Sequence, residues 1–232
     1  MNKVCAIIGF GSGLGTAYAS TFAQAGYSLA LISRSGAGQG EDAGSDTVRS
    51  YACNAGDPAA LTTVLDRIEA EQGQIDVLLY NADIKRFGPV EDISTEDFEA
   101  SWRASVLGLF ASAKVLGPRM AGRGGGTIVV SGATASLRGA VWTTALAPAK
   151  SAQRILSQSL AKQHGPKGVH LAYIVIDGVI DTAEAREHFA PDETDEFFIQ
   201  PGRIAETALM LVGQDRSAWT FELDIRPFGE KW

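Results

Sequence analysis

Residues 9 to 15 read Gly-Phe-Gly-Ser-Gly-Leu-Gly and follow directly on the apolar run Val4–Ile8. Glycines at every second position permit turns and close backbone approaches that a side chain would block. From Leu14 to Ala25 the apolar or small residues Leu14, Ala17, Phe22 and Ala25 share one helix face, and Gly26 closes the segment. A buried strand, a glycine turn and a helix N-terminus in this order bring backbone N–H groups and the helix dipole to a pyrophosphate. Gly9 and Gly11 let the chain turn towards the phosphates, Gly13 and Gly15 leave room for the helix, and Ser12 and Leu14 complete the loop. The run is read as a dinucleotide site, although a tight strand-to-helix turn without a ligand would use the same glycines.

The rest of the chain repeats the alternation. Strand-like runs fall at 28–32, 48–53, 75–80, 127–131, 170–176 and 219–224, with helical patterns between most of them. Asp57-Pro58 is an N-cap followed by a proline at the first helical position. Ser94, with Glu96 and Asp97, opens a long helix to about residue 120, a further helix spans 149–164, and Pro201 starts another. Residues 35–46, rich in Gly, Ser and acid, are expected to form a loop. Such alternation predicts an α/β fold, a Rossmann-type doubly wound parallel sheet, and 232 residues suit a single domain covering 1–232.

Composition removes several function classes. A net charge of −7 disfavours nucleic acid as a partner, because phosphate backbones need a basic face. Cys5 and Cys53 lie in apolar stretches and are read as buried free thiols. His164, His170 and His188 are scattered, so no metal site is expected. The apolar stretch at the N-terminus is too short for a signal peptide or a membrane span, which predicts a cytoplasmic protein with no membrane partner.

Cofactor choice turns on the end of the second strand. NAD-binding folds usually place an acid there to hold the ribose 2′-OH, whereas this chain has Ser33-Arg34-Ser35. A guanidinium flanked by hydroxyls suits a 2′-phosphate, so NADP(H) is preferred, with NAD(H) as the alternative.

Taken with Asn81-Ala82, Lys150 and Asp177-Gly178, the glycine turn resembles the short-chain dehydrogenase/reductase family over essentially the whole chain. The family's Thr-Gly-x-x-x-Gly-x-Gly falls on residues 8–15, with Ile8 in place of the threonine. Its Asn-Ala-Gly becomes Asn81-Ala82-Asp83, the acid that meets the adenine becomes Asn54, and its Pro-Gly becomes Asp177-Gly178. Thr182 takes the place of a threonine near the nicotinamide amide. The resemblance implies cofactor contacts at Gly9, Gly11, Ser12, Gly13, Leu14, Gly15, Arg34, Asn54, Asn81, Ala82, Lys150, Gly178 and Thr182. Lys150 is its one catalytic residue. The positions of the family's tyrosine, serine and asparagine hold Leu146, Ala133 and Ser105, which places the chain in a divergent branch without the tyrosine.

Three functions follow as expectations. One is an oxidoreductase for a small carbonyl or alcohol that works without the tyrosine, with Thr134, Ser136, Thr143 or Thr144 available to polarise a carbonyl. Another is a non-catalytic dinucleotide-binding sensor or assembly protein. The third is a fold without cofactor, motivated by Ile8, by residues 35–46 and by Asp83, whose carboxylate would repel a phosphate. Residues 181–200, with Phe189, Phe197 and Phe198, resemble the family's substrate lid and leave a sugar, a steroid and an acyl chain open. The resemblance also implies a homodimer or homotetramer through the helices at 95–120 and 149–164, where Ala111, Ala113, Val115, Ile155 and Leu156 either pair or pack on the sheet. His164 is read as a partner of its helix's C-terminal dipole.

Overall fold

The computed structural model describes residues 2–36 and 47–229. Strand β1 (Val4–Ile8) is buried along its length, and its side chains alternate between two cores. Val4, Ala6 and Ile8 face one side of the sheet, while Cys5 and Ile7 face the other. This is the period-two consequence of a strand covered on both faces. Around it β2 (Ser28–Ser33), β3 (Val48–Ala52), β4 (Ile75–Tyr80), β5 (Gly126–Ser131), β6 (Val169–Ile176) and β9 (Glu222–Ile225) form one seven-stranded sheet in the order β3-β2-β1-β4-β5-β6-β9. Every pairing is parallel. A small second sheet joins β7 (Val179–Ile180) to β8 (Phe198–Ile199) across the expected lid.

Helices α1 (Leu14–Gln24) and α6 (Pro201–Val212) cover one face through Leu14, Tyr18, Phe22, Ile204, Ala208 and Leu211. On the other face lie α2 (Pro58–Gln72), α4 (Gly108–Gly122) and α5 (Leu146–His164). The expected α/β architecture with a parallel sheet is therefore present. The Asp57 carboxylate accepts from Ala59 N and Ala60 N, as an N-cap should. Residues 37–46, most of the segment expected to form a loop, lie outside the described residues.

Three local features differ from expectation. The helix carrying Lys150 begins at Leu146, not at 149, because Pro148 sits in the first turn, where its missing N–H costs no hydrogen bond. The long helix is interrupted: α3 (Thr95–Trp102) and α4 are joined by a π turn at Arg103–Leu107. Extra residues in such a turn leave a carbonyl without its helical donor, and Ser105 O accepts from Gln153 Nε2 of α5 at 2.8 Å. His164 is buried with its ring over Gly117, where an added Cβ would lie 2.7 Å from Nε2. Burial lowers its pKa, so it is a neutral packing residue and not a cationic dipole partner. On the proposed pairing helices Ala111 and Ala113 are buried in the core, and Val115 and Leu156 pack against it. Ile155 alone of those five is exposed.

Tyr18, Tyr80 and Tyr173 are fully buried, and burial pushes each phenol above its ordinary value. The unfolded chain therefore ionises them first, so stability should fall as pH rises beyond about 10, at up to roughly 1.4 kcal/mol per phenol per pH unit. Cys5 acts in the same sense and Lys150 in the opposite one. Urea unfolding of wild type and Tyr18→Phe across this range checks the slope, which the substitution should flatten.

Candidate active site

The sheet order reverses between β1 and β4, which opens a crevice at the carboxyl ends of those strands. The glycine turn sits there. Gly9 has φ +89°, and a Cβ on it would lie 2.5 Å from Ala82 N. Gly9 N and Phe10 N both donate to Ile32 O at 3.0 Å, Asn81 N donates to Ile8 O at 2.8 Å, and Asn81 Nδ2 donates to Gly9 O at 3.1 Å. The ends of β1, β2 and β4 are thereby laced together.

Each later glycine meets a different demand. A Cβ on Gly15 would be 2.9 Å from Phe10 Cα, and one on Gly13 would be 3.1 Å from Thr182 Cγ2. Gly13 and Thr182, far apart in sequence, are thus neighbours. Gly11 has nothing within 4 Å of its Cβ position and is exposed beside Ser12, whereas Leu14 is anchored in the core. Helix α1 starts with no side-chain cap and no acid in its first turn, so nothing of that kind competes with an anion there. Gly178, at φ +153°, lies against Pro227. Thr182 Oγ1 accepts from Ala185 N at 3.1 Å and caps the first turn of the lid segment.

Two residues assigned to the adenosine end are both exposed. Arg34 makes no ion pair among the described residues. Asn54 turns its amide oxygen onto Gly56 N at 3.0 Å, which leaves the second lone pair of that oxygen for another donor.

Lys150 is 2% exposed. Its ammonium donates to Ser131 O at 3.0 Å and Gln153 Oε1 at 3.4 Å, and lies 3.4 Å from Asp83 Oδ2. Burial lowers its pKa, and the Asp83 carboxylate opposes that shift. Asp83 therefore faces the ammonium, and the repulsion expected from a lone carboxylate is offset within the site. Sequence reasoning missed both this pair and Gln153. The i, i+3 spacing of Lys150 and Gln153 was the available signal.

Around Lys150 the remaining candidates divide. Leu146, one turn earlier on α5, packs with Ala133, Ala135 and Ala147 into a small apolar cluster. The Ser105 hydroxyl is buried without a hydrogen-bond partner among the described residues. Thr134 Oγ1 donates to Asp177 Oδ1 at 2.5 Å, and that buried carboxylate also holds Arg138 at 3.5 Å and Arg226 at 3.4 Å. Ser136, Thr143 and Thr144 bond to nearby backbone carbonyls, at Ala133, Ala140 and Val141. Tyr18 OH pairs with Ser131 Oγ and Tyr173 OH donates to Lys150 O, both as packing contacts.

The lid segment is stapled by Arg186, which bonds Asp181 at 2.6 Å and Asp195 at 2.8 Å and lies over the Phe198 ring. Phe198 is buried with Ala185 and Ala190, so lid packing accounts for it. Phe189 instead meets Phe87, from the loop after β4, edge-on at 5.4 Å.

This geometry defines a dinucleotide-type α/β protein. The family model described as short chain dehydrogenase matches residues 3–193, and the chain belongs to that family. It is 30% identical over 176 residues to D-threitol dehydrogenase of Mycolicibacterium smegmatis, covering 73% of this chain and 67% of that protein. The structure of a short-chain dehydrogenase from Rhodopseudomonas palustris has a TM-score of 0.82 at 28% identity, over 98% of this chain and 100% of that one. An alcohol dehydrogenase from Thermococcus sibiricus, complexed with 5-hydroxy-NADP, superposes with a TM-score of 0.85 over 100% of this chain and 99% of its own. At 22% identity it speaks for the fold alone.

Gly9→Ala should lower the unfolding free energy by about 1–3 kcal/mol, since it adds both a clash and a strained φ. Gly11→Ala meets open space and should stay within about 0.5 kcal/mol of wild type. Urea denaturation of the two variants tests the contrast.

Proposed function

We propose that the protein is an NADP(H)-dependent oxidoreductase that interconverts a small carbonyl compound and its alcohol without a tyrosine acid. The observation that carries this reading is the crevice itself. An open glycine turn, Asn81-Ala82 packed on Gly9, and the Lys150–Asp83 pair surround one switch point of the sheet. The residues fit a dinucleotide: α1 offers an unblocked N-terminus to the pyrophosphate, and Gly11 leaves space above the turn. Gly9, Gly11, Ser12, Gly13, Leu14 and Gly15 would hold the pyrophosphate side, Arg34 and Asn54 the adenosine, and Asn81, Ala82, Gly178 and Thr182 the nicotinamide side. Exposed Arg34, without an ion pair among the described residues, favours NADP(H) over NAD(H). The archaeal alcohol dehydrogenase of the same fold is itself complexed with an NADP derivative.

When bound, the dinucleotide supplies or accepts the hydride. The chain's part is to align the reactants, and proximity of this kind offsets roughly 7–11 kcal/mol of barrier. Ala133 and Leu146 carry no transferable proton, so the proton that the carbonyl oxygen takes up on reduction, and the alcohol gives up on oxidation, is exchanged with solvent water. Lack of a positioned acid costs about 10²–10⁴-fold, which slows turnover without abolishing it.

A second reading, a non-catalytic dinucleotide-binding sensor or assembly protein, draws on the same cluster, because Leu146 and Ala133 hold no transferable proton. Under either reading we assign one domain over 1–232, a cytoplasmic address, and a homodimer or homotetramer. Exposed Phe98, Trp102, Phe110 and Ile155 on the two long helical segments support the pairing.

Fluorescence titration with NADPH and NADH, followed by turnover of a carbonyl panel, tests the proposal. Arg34→Glu should weaken NADPH at least about tenfold and leave NADH little changed, as expected for a lost charge-assisted contact. Turnover should disappear in Lys150→Ala. Tight NADPH binding without turnover selects the second reading, and binding of neither nucleotide removes both.

A further inference from the structure

A lysine ammonium has three protons to donate. At Lys150 all three have partners inside the chain: Ser131 O, Gln153 Oε1 and Asp83 Oδ2. Two of these partners are fixed in turn. Ser131 ends β5, and Gln153 is held by Ser105 O on the π turn. With its side chain buried, Lys150 has no face left for a ligand.

Asp83 differs on each count. Its side chain is 23% exposed, and its Oδ2 lies 3.4 Å from the ammonium. Its other oxygen accepts no hydrogen bond from the described residues. It directly follows Ala82, whose backbone lies against Gly9, so it stands beside the crevice between β1 and β4. A lone carboxylate here would repel a pyrophosphate, whereas one paired with a buried ammonium keeps its acceptor lone pairs at little net charge. The partner chemistry that suits such an oxygen is an O–H donor.

Building on the dinucleotide reading, we infer that Asp83 Oδ1 accepts a hydrogen bond from a sugar-type hydroxyl of the ligand in the crevice. The hydroxyl belongs either to a ribose of the dinucleotide or to a polyol bound beside it. Asp83, and not Lys150, is then the polar contact that the chain presents at this point.

Calorimetric binding separates these sources without any turnover. The probes are NADPH, the half-molecule adenosine 2′-phosphate 5′-diphosphate, and threitol added to NADP+-saturated protein. The half-molecule reaches the glycine turn but carries no second ribose. The variants are Asp83→Asn, which keeps the volume and loses the charge, and Asp83→Gly, which removes the side chain. Loss of NADPH affinity by about tenfold in both, with the half-molecule unchanged, supports the ribose hydroxyl. The same loss confined to threitol supports the polyol. Unchanged affinity for both NADPH and threitol overturns the assignment, as does tighter NADPH binding by Asp83→Gly, which would make the carboxylate an obstruction. Half-molecule binding by the variants at wild-type strength shows that they are folded. Failure of the wild type to bind the half-molecule removes the dinucleotide reading, and this assignment with it.

Discussion

No side chain fits between the end of β1 and the end of β4, and the geometry of the crevice depends on that fact. Gly9 turns at a positive φ with its missing Cβ directed at the backbone of Asn81 and Ala82. The contact lets Asn81 bond Gly9 O, fixes where Asp83 emerges, and sends the chain into α1 at an angle that buries Leu14. A methyl group at Gly9 would push apart two parallel strands that run in one register from Cys5–Val77 to Ile8–Tyr80. Gly15 repeats the same physics one turn later, against Phe10.

Behind the crevice lies a buried positive charge, which is costly unless it is neutralised and fully hydrogen-bonded. The chain meets this requirement from four elements: β5 through Ser131, the loop after β4 through Asp83, α5 through Gln153, and the π turn through the Ser105 carbonyl that fixes Gln153. Asp177 is a second buried charge treated likewise, with Thr134, Arg138 and Arg226 gathered around it. Both networks border the small apolar cluster of Ala133, Ala135, Leu146 and Ala147 at the β5–α5 connection.

The sequence made the glycine turn and the strand ends around it legible, and the surroundings of Lys150 only by subtraction. Gly9 to Gly15, Asn81-Ala82 and the Asp57 cap stand where local spacing put them, because turn chemistry and strand periodicity are short-range rules. Leu146, Ala133 and Ser105 could be read only as missing groups. Their replacement contacts come from residues whose identity is unremarkable in isolation: Gln153 on a helix face, Asp83 after a strand, Asp177 where a proline was expected. Asp83 shows the limit best. Its charge argued against a bound phosphate until its partner, 67 positions away in the chain, came into view.

Periodicity and the glycine turn by themselves determined the α/β alternation, the parallel sheet and the position of the crevice. These follow from backbone geometry and from burial of alternate or every-third-and-fourth side chains, both of which are written locally. Only the tertiary structure decided that Lys150 is wholly enclosed, that Asp83 pairs with it, that His164 is a neutral packing residue and that Thr182 stands beside Gly13. Burial and ion pairing depend on the distance between residues remote in sequence. That distance is set by how helices dock on the sheet, which no local pattern encodes.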